Sequence, residues 1–244
     1  MSIKSELIES MTEWRRHMHQ FPECGFDLPL TADFVAEKLE SFGLEVTRNV
    51  GKKGVVAKLS CGDGQNSIGL RADMDALFIQ EQNTFAHKSK HEGQMHACGH
   101  DGHSAMLLGA AAYLAEHRDF NGTVYFIFQP DEEHGQGAQA MIDDGLFERF
   151  PMDSVYGLHN MPGLAEGHVM VRPGSLMASE SGFEIVINGV GGHAAMPHRG
   201  VDPIVVGSQV VLALQTIVSR NLSAIEETAV VSVTDFQTNG TTNV

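Results

Sequence analysis

Residues 96–103 read His96-Ala97-Cys98-Gly99-His100-Asp101-Gly102-His103, and five of the chain's 13 histidines fall between His87 and His103. Imidazoles, a thiol and a carboxylate this close together are the donors of a divalent metal site or the groups of acid–base chemistry. The pair Cys98 and His100 alone leaves a buried cysteine and a helix-capping histidine equally open. The whole stretch, with His96, Asp101 and His103, points to metal, and a helix N-terminus just after Cys98 would favour its thiolate. Glu132 and Glu133 form a second constellation: adjacent carboxylates on a turn can point apart, one ligating metal and the other acting as general base. Taken alone, the same pair reads as a solvated acidic turn. His159 read by itself is as well explained as a core histidine, and Asp73 suits a carboxylate that accepts a hydrogen bond from a ligand histidine. Together these donors suit zinc, manganese or cobalt. His193 lies in Gly191-Gly192-His193-Ala194-Ala195-Met196-Pro197-His198, where glycines permit a tight backbone and Pro197 stiffens it. A separate domain closing over a crevice would let His193 donate to a developing oxyanion.

The elements that must position these groups follow from hydrophobic period. Apolar residues at helical spacing predict helices over 3–20, 31–42, 104–116, 136–144 and 203–218, with Thr31 as a cap and Gly43 as a terminator. Short apolar or alternating runs predict strands over 55–59, 68–70, 124–128, 154–158, 169–171, 183–187 and 229–233. Strands alternating with helices imply an α/β layer whose sheet is parallel or mostly parallel. In such a sheet the carboxyl ends of the strands form the ligand crevice. Asp73, Asp75, Glu132, Glu133 and His159 all follow predicted strands, so distant stretches of chain converge. The pattern changes near 178–181, which divides the chain into a catalytic metal-binding α/β domain over 1–178 and a smaller α+β domain over 179–244.

Composition excludes other classes. The 16 Lys and Arg stand against 31 Asp and Glu, a net charge of −15, which argues against nucleic acid or an anionic membrane surface as a partner. Cys24, Cys61 and Cys98 are few, odd in number and far apart, so no disulfide framework is implied and a reducing compartment is expected. The first residues lack a basic stretch followed by an apolar one, and the apolar run 203–218 is broken by Ser208, Gln209 and Gln215. A cytoplasmic protein without a membrane span is the resulting expectation.

The stretches Arg71-Ala72-Asp73-Met74-Asp75-Ala76-Leu77, 96–103, Phe128-Gln129-Pro130 through Glu133, Gly157-Leu158-His159-Asn160 and 192–198 resemble the metal-dependent amidohydrolases. That group includes hippurate hydrolase, auxin-conjugate hydrolases and N-acyl-amino-acid deacylases, within the wider aminoacylase and carboxypeptidase-type metallopeptidase superfamily. The resemblance implies a zinc-exopeptidase-like catalytic domain with an inserted lid and dimerisation domain. It implies Cys98, His100, Glu133 and His159 as ligands of two divalent ions (Mn, Zn, Co or Ni), Glu132 as general base and His193 as the lid residue that stabilises the transition state. The implied reaction is hydrolysis of an N-acyl amino acid, and the implied assembly a homodimer formed through the lid. Asp131 and His134 depart from the small residue and glycine usual at their positions. Relatives continue past the position of Val244 and supply a further ligand histidine, so a chain of this extent is expected to bind metal weakly and turn over little. Arg172, Arg199 and Arg220 are the candidates to bind a substrate carboxylate. A non-enzymatic metal-binding or dimerising remnant is the alternative. A Cys98 nucleophile with His100 or His103 as base is disfavoured by spacing, and a zinc nucleobase deaminase by the lack of Pro-Cys-x-x-Cys.

Overall fold

The computed structural model describes residues 3–223 and 229–244. The chain divides into two compact units, Met1–His168 and Val169–Val244, where the sequence pattern had placed the change at 178–181.

In the first unit the order is α1 (Ser5–Gln20), α2 (Pro29–Ser41), β1 (Glu45–Val50), β2 (Gly54–Cys61), β3 (Ser67–Asp73), α3 (His100–His117), β4 (Gly122–Gln129), α4 (Gly137–Asp143), α5 (Leu146–Arg149) and β5 (Ser154–Gly157). The start of α2 is held by Glu23, whose carboxylate accepts the N–H groups of Leu30 (3.1 Å) and Thr31 (2.7 Å) and the Thr31 hydroxyl (2.9 Å). This satisfies donors that the first turn cannot pair internally. Thr31 is therefore inside the helix, and the cap comes from Glu23. At the other end Gly43 takes φ +79° and Leu44 N–H returns to the Leu39 carbonyl, the glycine-terminated helix end that its position predicted.

The sheet order is β1-β2-β4-β3-β5. Two pairings, β1 with β2 and β2 with β4, are antiparallel; β3 is parallel to both β4 and β5. The sheet is thus mixed, which corrects the expectation of a mostly parallel one. The reason is local: a turn as short as the one between Val50 and Gly54 can join only antiparallel strands. Alternation along the strands sorts the core onto both faces. Val55, Ala57, Leu59, Val124, Phe126 and Phe128 pack with Val35, Leu39, Leu108 and Ala111 from α2 and α3. Val56, Tyr125 and Ile127 pack with Met141 and Leu146 from α4 and α5. Helices on both faces make this an α/β unit. The chain leaves β3 through α3 to reach β4, then returns through α4 and α5 to β5 on the other side of β3, so the strand order reverses beside β3.

In the second unit the expected helix forms as α6 (Pro203–Thr216), with Pro203 in its first turn and Asp202 Oδ1 accepting Ile204 N–H at 2.9 Å. It runs on into a π turn over Ile217–Asn221. Together these make one helical run, Pro203–Asn221, that by length and composition alone could cross a membrane. The strands expected over 169–171, 183–187 and 229–233 do not form; among the described residues the unit's β pairing is an isolated bridge between Val190 and Val201. The α+β expectation for this unit is corrected accordingly. A strand needs a partner to pair its backbone, and these runs instead leave their apolar side chains in solvent, Val171 and Val230 each 84% exposed.

Candidate metal centre

Strands β3, β4 and β5 end side by side, with Asp73 opposite Gln129 and Arg71 opposite Gly157. The chain leaving each end delivers a polar group: Asp75 after β3, Glu132 and Glu133 after β4, His159 after β5. Cys98 and His100 arrive from the start of α3, where Gly99 sits at φ +94°. A Cβ on Gly99 would lie 2.4 Å from Asn160 Oδ1, so a glycine is needed for the start of α3 to close against the segment after β5.

His100 is the hub. Its Nδ1–H donates to the Asp75 carbonyl at 2.8 Å, which leaves Nε2 with its lone pair. That Nε2 has no hydrogen-bond partner and lies 3.7 Å from each of Asp73 Oδ2, Glu132 Oε2 and Glu133 Oε1. Burial disfavours charge on the His100 ring, but Asp75, Asp73 and Glu133 outweigh it and raise its proton affinity. His159 follows the same logic: Nδ1–H donates to the Asn160 carbonyl at 2.6 Å, and Nε2 faces Cys98 Sγ at 3.5 Å.

The Cys98 thiol is pushed up to about 12 by burial and by the nearby Glu133 and Glu132 carboxylates. In the absence of a cation, acidic neighbours and desolvation oppose the thiolate that the helix terminus favours. A divalent cation would reverse that balance. Burial likewise raises the Glu133 carboxyl, helped by Glu132 and Asp75 and opposed by His100.

Of the buried side-chain polar atoms left without a hydrogen bond among the described residues, His100 Nε2 and Glu133 Oε1 lie 3.7 Å apart in this cluster, and Asp75 Oδ1 lies behind the ring, 3.4 Å from His100 Nδ1. Orphaned buried acceptors call for an unseen partner, and acceptors of nitrogen, sulfur and oxygen type converging together fit a borderline divalent cation. Cys98, His100 and His159 form one candidate ligand group and His100, Glu132 and Glu133 another.

The remaining sequence candidates divide. Asp73 Oδ1 accepts from His103 Nδ1 at 2.6 Å, and Asp73 Oδ2 accepts from Arg71 at 2.6 Å. His103 Nε2 meets Asn160, so both of its nitrogens are engaged. Asp73 thus orients His103, and the carbonyl that orients the His100 ring belongs to Asp75. Asp75 was visible in the sequence only as a second acid beyond a strand; nothing in its type foretold that its main chain would be used. Burial opposes ionisation of Asp73, but His103, Arg71 and His100 hold its carboxyl well below the usual carboxylate range. Asp101 turns away to Arg15 and His19. His96 is buried with neither ring nitrogen partnered, and burial holds it down at about 4, a neutral imidazole outside the cluster. Asp131 adopts φ +48° and pairs with His134 Nδ1 at 2.6 Å. In the second unit His193 is exposed, with Nδ1 accepting Ala195 N–H at 3.1 Å, and Arg172, Arg199 and Arg220 are exposed.

The family model for peptidase family M20/M25/M40 matches residues 69–241. Hippurate hydrolase of Campylobacter jejuni is 46% identical over 100% of this chain, which covers 64% of that protein. N-acyl-L-amino acid amidohydrolase of Geobacillus stearothermophilus is 45% identical over 96% of this chain and 63% of its own length. Among solved structures, the Bacillus subtilis YXEP protein, described as a dinuclear metal binding peptidase, superposes with a TM-score of 0.63 at 36% identity, over 66% of this chain and 45% of that one. The chain therefore spans just under two thirds of the length of these curated relatives.

Proposed function

The chain belongs to the peptidase family M20/M25/M40, and from that membership we propose that it carries a centre for metal-dependent hydrolysis of the amide bond of N-acyl amino acids, releasing a carboxylate and a free amino acid. The substrate class is taken from the relatives' names, hippurate hydrolase and N-acyl-L-amino acid amidohydrolase. The observation that carries the reading is the pair of orphaned acceptors His100 Nε2 and Glu133 Oε1, 3.7 Å apart, in candidate ligand groups that also hold Cys98, His159 and Glu132.

Cys98, His100, Glu133 and His159 would hold two divalent cations, of the manganese, zinc, cobalt or nickel kind. Bound there, such cations polarise an amide carbonyl and ease the deprotonation of water. The family resemblance gives Glu133 as the ligand and Glu132 as the base, a division supported by the Glu133 side chain being 17% exposed and that of Glu132 40% exposed. Glu132 takes a proton from the attacking water and passes it to the leaving nitrogen. Asp73 supports the centre by fixing His103 against Asn160. His193 is the proposed oxyanion donor: the bond accepted at Nδ1 puts its proton on Nε2. Arg172, Arg199 and Arg220 are candidate partners for the substrate carboxylate. Pairing of two copies through the second unit is supported by the apolar residues that α6 exposes, Val205 and Leu212 among them. A cytoplasmic location is supported by the few, odd-numbered and widely spaced cysteines.

The test compares chelator-stripped protein with protein reloaded with Mn²⁺, Zn²⁺ or Co²⁺, measuring bound metal and hydrolysis of N-benzoyl and N-acetyl amino acids. The expected outcome is bound metal in both the unaltered chain and Glu132→Ala, with metal-dependent hydrolysis lost in the variant. Hydrolysis that survives both chelation and Glu132→Ala sinks the mechanism, and bound metal with no hydrolysis under any loading supports the non-enzymatic remnant instead.

A further inference from the structure

A second buried cluster of charged groups surrounds His19. His19, on α1, is 2% exposed. Its Nδ1 lies 2.7 Å from Asp101 Oδ2, and its Nε2 lies 3.2 Å from Glu81 Oε1. Asp101 is the residue after His100. Its Oδ2 also takes Arg15 Nε at 2.7 Å, and its Oδ1 accepts Gly102 N–H. Glu81, in the segment between β3 and α3, further accepts the Asn83 side-chain amide and the Ser89 N–H. His19 Nδ1 also lies 3.5 Å from Arg15 Nη2, at the edge of hydrogen-bond reach, against 2.7 Å to Asp101 Oδ2; a carboxylate oxygen only accepts, so the two carboxylate contacts are both satisfied only when both ring nitrogens carry hydrogen. Two buried carboxylates against Arg15 and a charged His19 also sum to zero, the condition for burying such groups.

We infer that His19 is held as an imidazolium between Asp101 and Glu81, and that this Arg15–Asp101–His19–Glu81 chain positions the Cys98–His100 segment for metal. The positioning half rests on the metal-centre reading above; the charge of His19 does not. Three pieces of the fold meet at one ring: α1, the first turn of α3 that begins with a proposed ligand, and the segment carrying Glu81. The other titratable rings beside it are His96, with ring centres 6.3 Å apart, and His87, at 5.9 Å. Asp101 Oδ2 and Glu81 Oε1 are held by the His19 ring itself, at 2.7 Å and 3.2 Å. The same contacts, the Asp101 hydrogen bond foremost and burial opposing, raise His19 above the ordinary imidazole range.

The experiment has two readouts on the full chain. Ring-nitrogen NMR of ¹⁵N-histidine-labelled protein, with His19 assigned by its loss in His19→Gln, is expected to show both nitrogens protonated at pH 7.5. A neutral tautomer at that pH overturns the inference without any metal present. Co²⁺ titration, followed through the thiolate-to-cobalt band in the near ultraviolet, is expected to show about a tenfold weaker affinity in His19→Gln, while the exposed-site control His17→Gln matches the unaltered chain. Unchanged affinity and band in folded His19→Gln overturn the positioning role. A chain that binds no Co²⁺ at all overturns the metal-centre reading and the positioning role with it, whereas the NMR result still decides the charge of His19.

Discussion

At the scale of single residues, the two aspartates after β3 show how position decides role. Asp73 is fully buried and engaged by His103 and Arg71, while Asp75, two residues on, accepts Glu133 N–H at Oδ2 and leaves Oδ1 without a hydrogen bond beside His100 Nδ1. Because these partners hold the folded Asp73 carboxyl below its ordinary value near 3.8, its ionised form stabilises the fold. The sign follows from linkage: a depressed folded value means the contribution is complete above the unfolded value and is withdrawn as pH falls through the folded one. Asp73→Asn is therefore expected to cost about 3 kcal/mol at pH 7, since it leaves the Arg71 charge half-buried with only Gln129 to accept from it. Urea unfolding of both proteins from pH 7 downward is expected to show a constant gap that narrows only below about pH 3.8. A gap that is already closing near pH 6 would mean that the Asp73 carboxylate does not carry the linkage. The sequence suggested Asp73 as an acceptor for a ligand histidine, but its short contact is to His103, which is not among the proposed ligands, while the ligand candidate His100 lies 3.7 Å away; sequence could not choose between them, because His100 and His103 lie one helical turn apart and hydrogen-bond direction decides.

At the scale of elements, the turn from Pro130 to Gly137 carries the whole burden of presenting Glu132 and Glu133. Asp131 enters it with a left-handed backbone, its carbonyl accepts the N–H groups of Gln136 and Gly137, and its own N–H donates to the Gly25 carbonyl. Gly137, the first residue of α4, is pressed so close that a Cβ would lie 1.5 Å from the Pro130 carbonyl oxygen, whereas Gly135, at φ +67°, has open space around it. Gly137→Ala must force the turn apart and is expected to cost about 3 kcal/mol and to weaken Co²⁺ binding. Gly135→Ala is expected to cost about 1 kcal/mol of backbone strain with binding nearly kept. Thermal melts and Co²⁺ titrations of the pair check this, and equal losses of affinity would show that the turn does not set the site. Elements of this kind were legible in unequal measure. The buried strands β2 and β4 and the helices α1, α3 and α6 announce themselves through period or apolar density. Edge strand β1, Glu-Val-Thr-Arg-Asn-Val, is mostly half-buried or exposed and carries too little apolar pattern to be read, and the four-residue α5 is too short for a helical period. The runs 169–171, 183–187 and 229–233 mislead in the opposite way, since alternation records what a strand would bury but not whether a partner exists to bury it.

At the scale of the molecule, the two units differ in what holds them. The first encloses two apolar clusters, one on each face of its sheet, while the second leaves Val169, Val171, Leu212 and Val230 between 70% and 84% exposed. Stability scales with apolar surface removed from water, so unfolding enthalpy is expected to be concentrated in the first unit. All four proposed ligands, Cys98, His100, Glu133 and His159, also belong to Met1–His168. A cation bound only to the folded first unit stabilises it by mass action, about 2.7 kcal/mol when free metal is 100 times the dissociation constant. Scanning calorimetry of the full chain with and without Zn²⁺ is therefore expected to move the main transition upward and to leave any separate, weaker transition of the second unit where it was. Chelator should return the main transition to its starting temperature. An equal shift of both transitions would show that the second unit takes part in holding the metal, and the ligand set would then have to be sought across residues 169–244 as well. The calorimetric pattern thus decides whether the centre at the strand ends is complete within the first unit for binding, which is a separate matter from whether it turns over substrate.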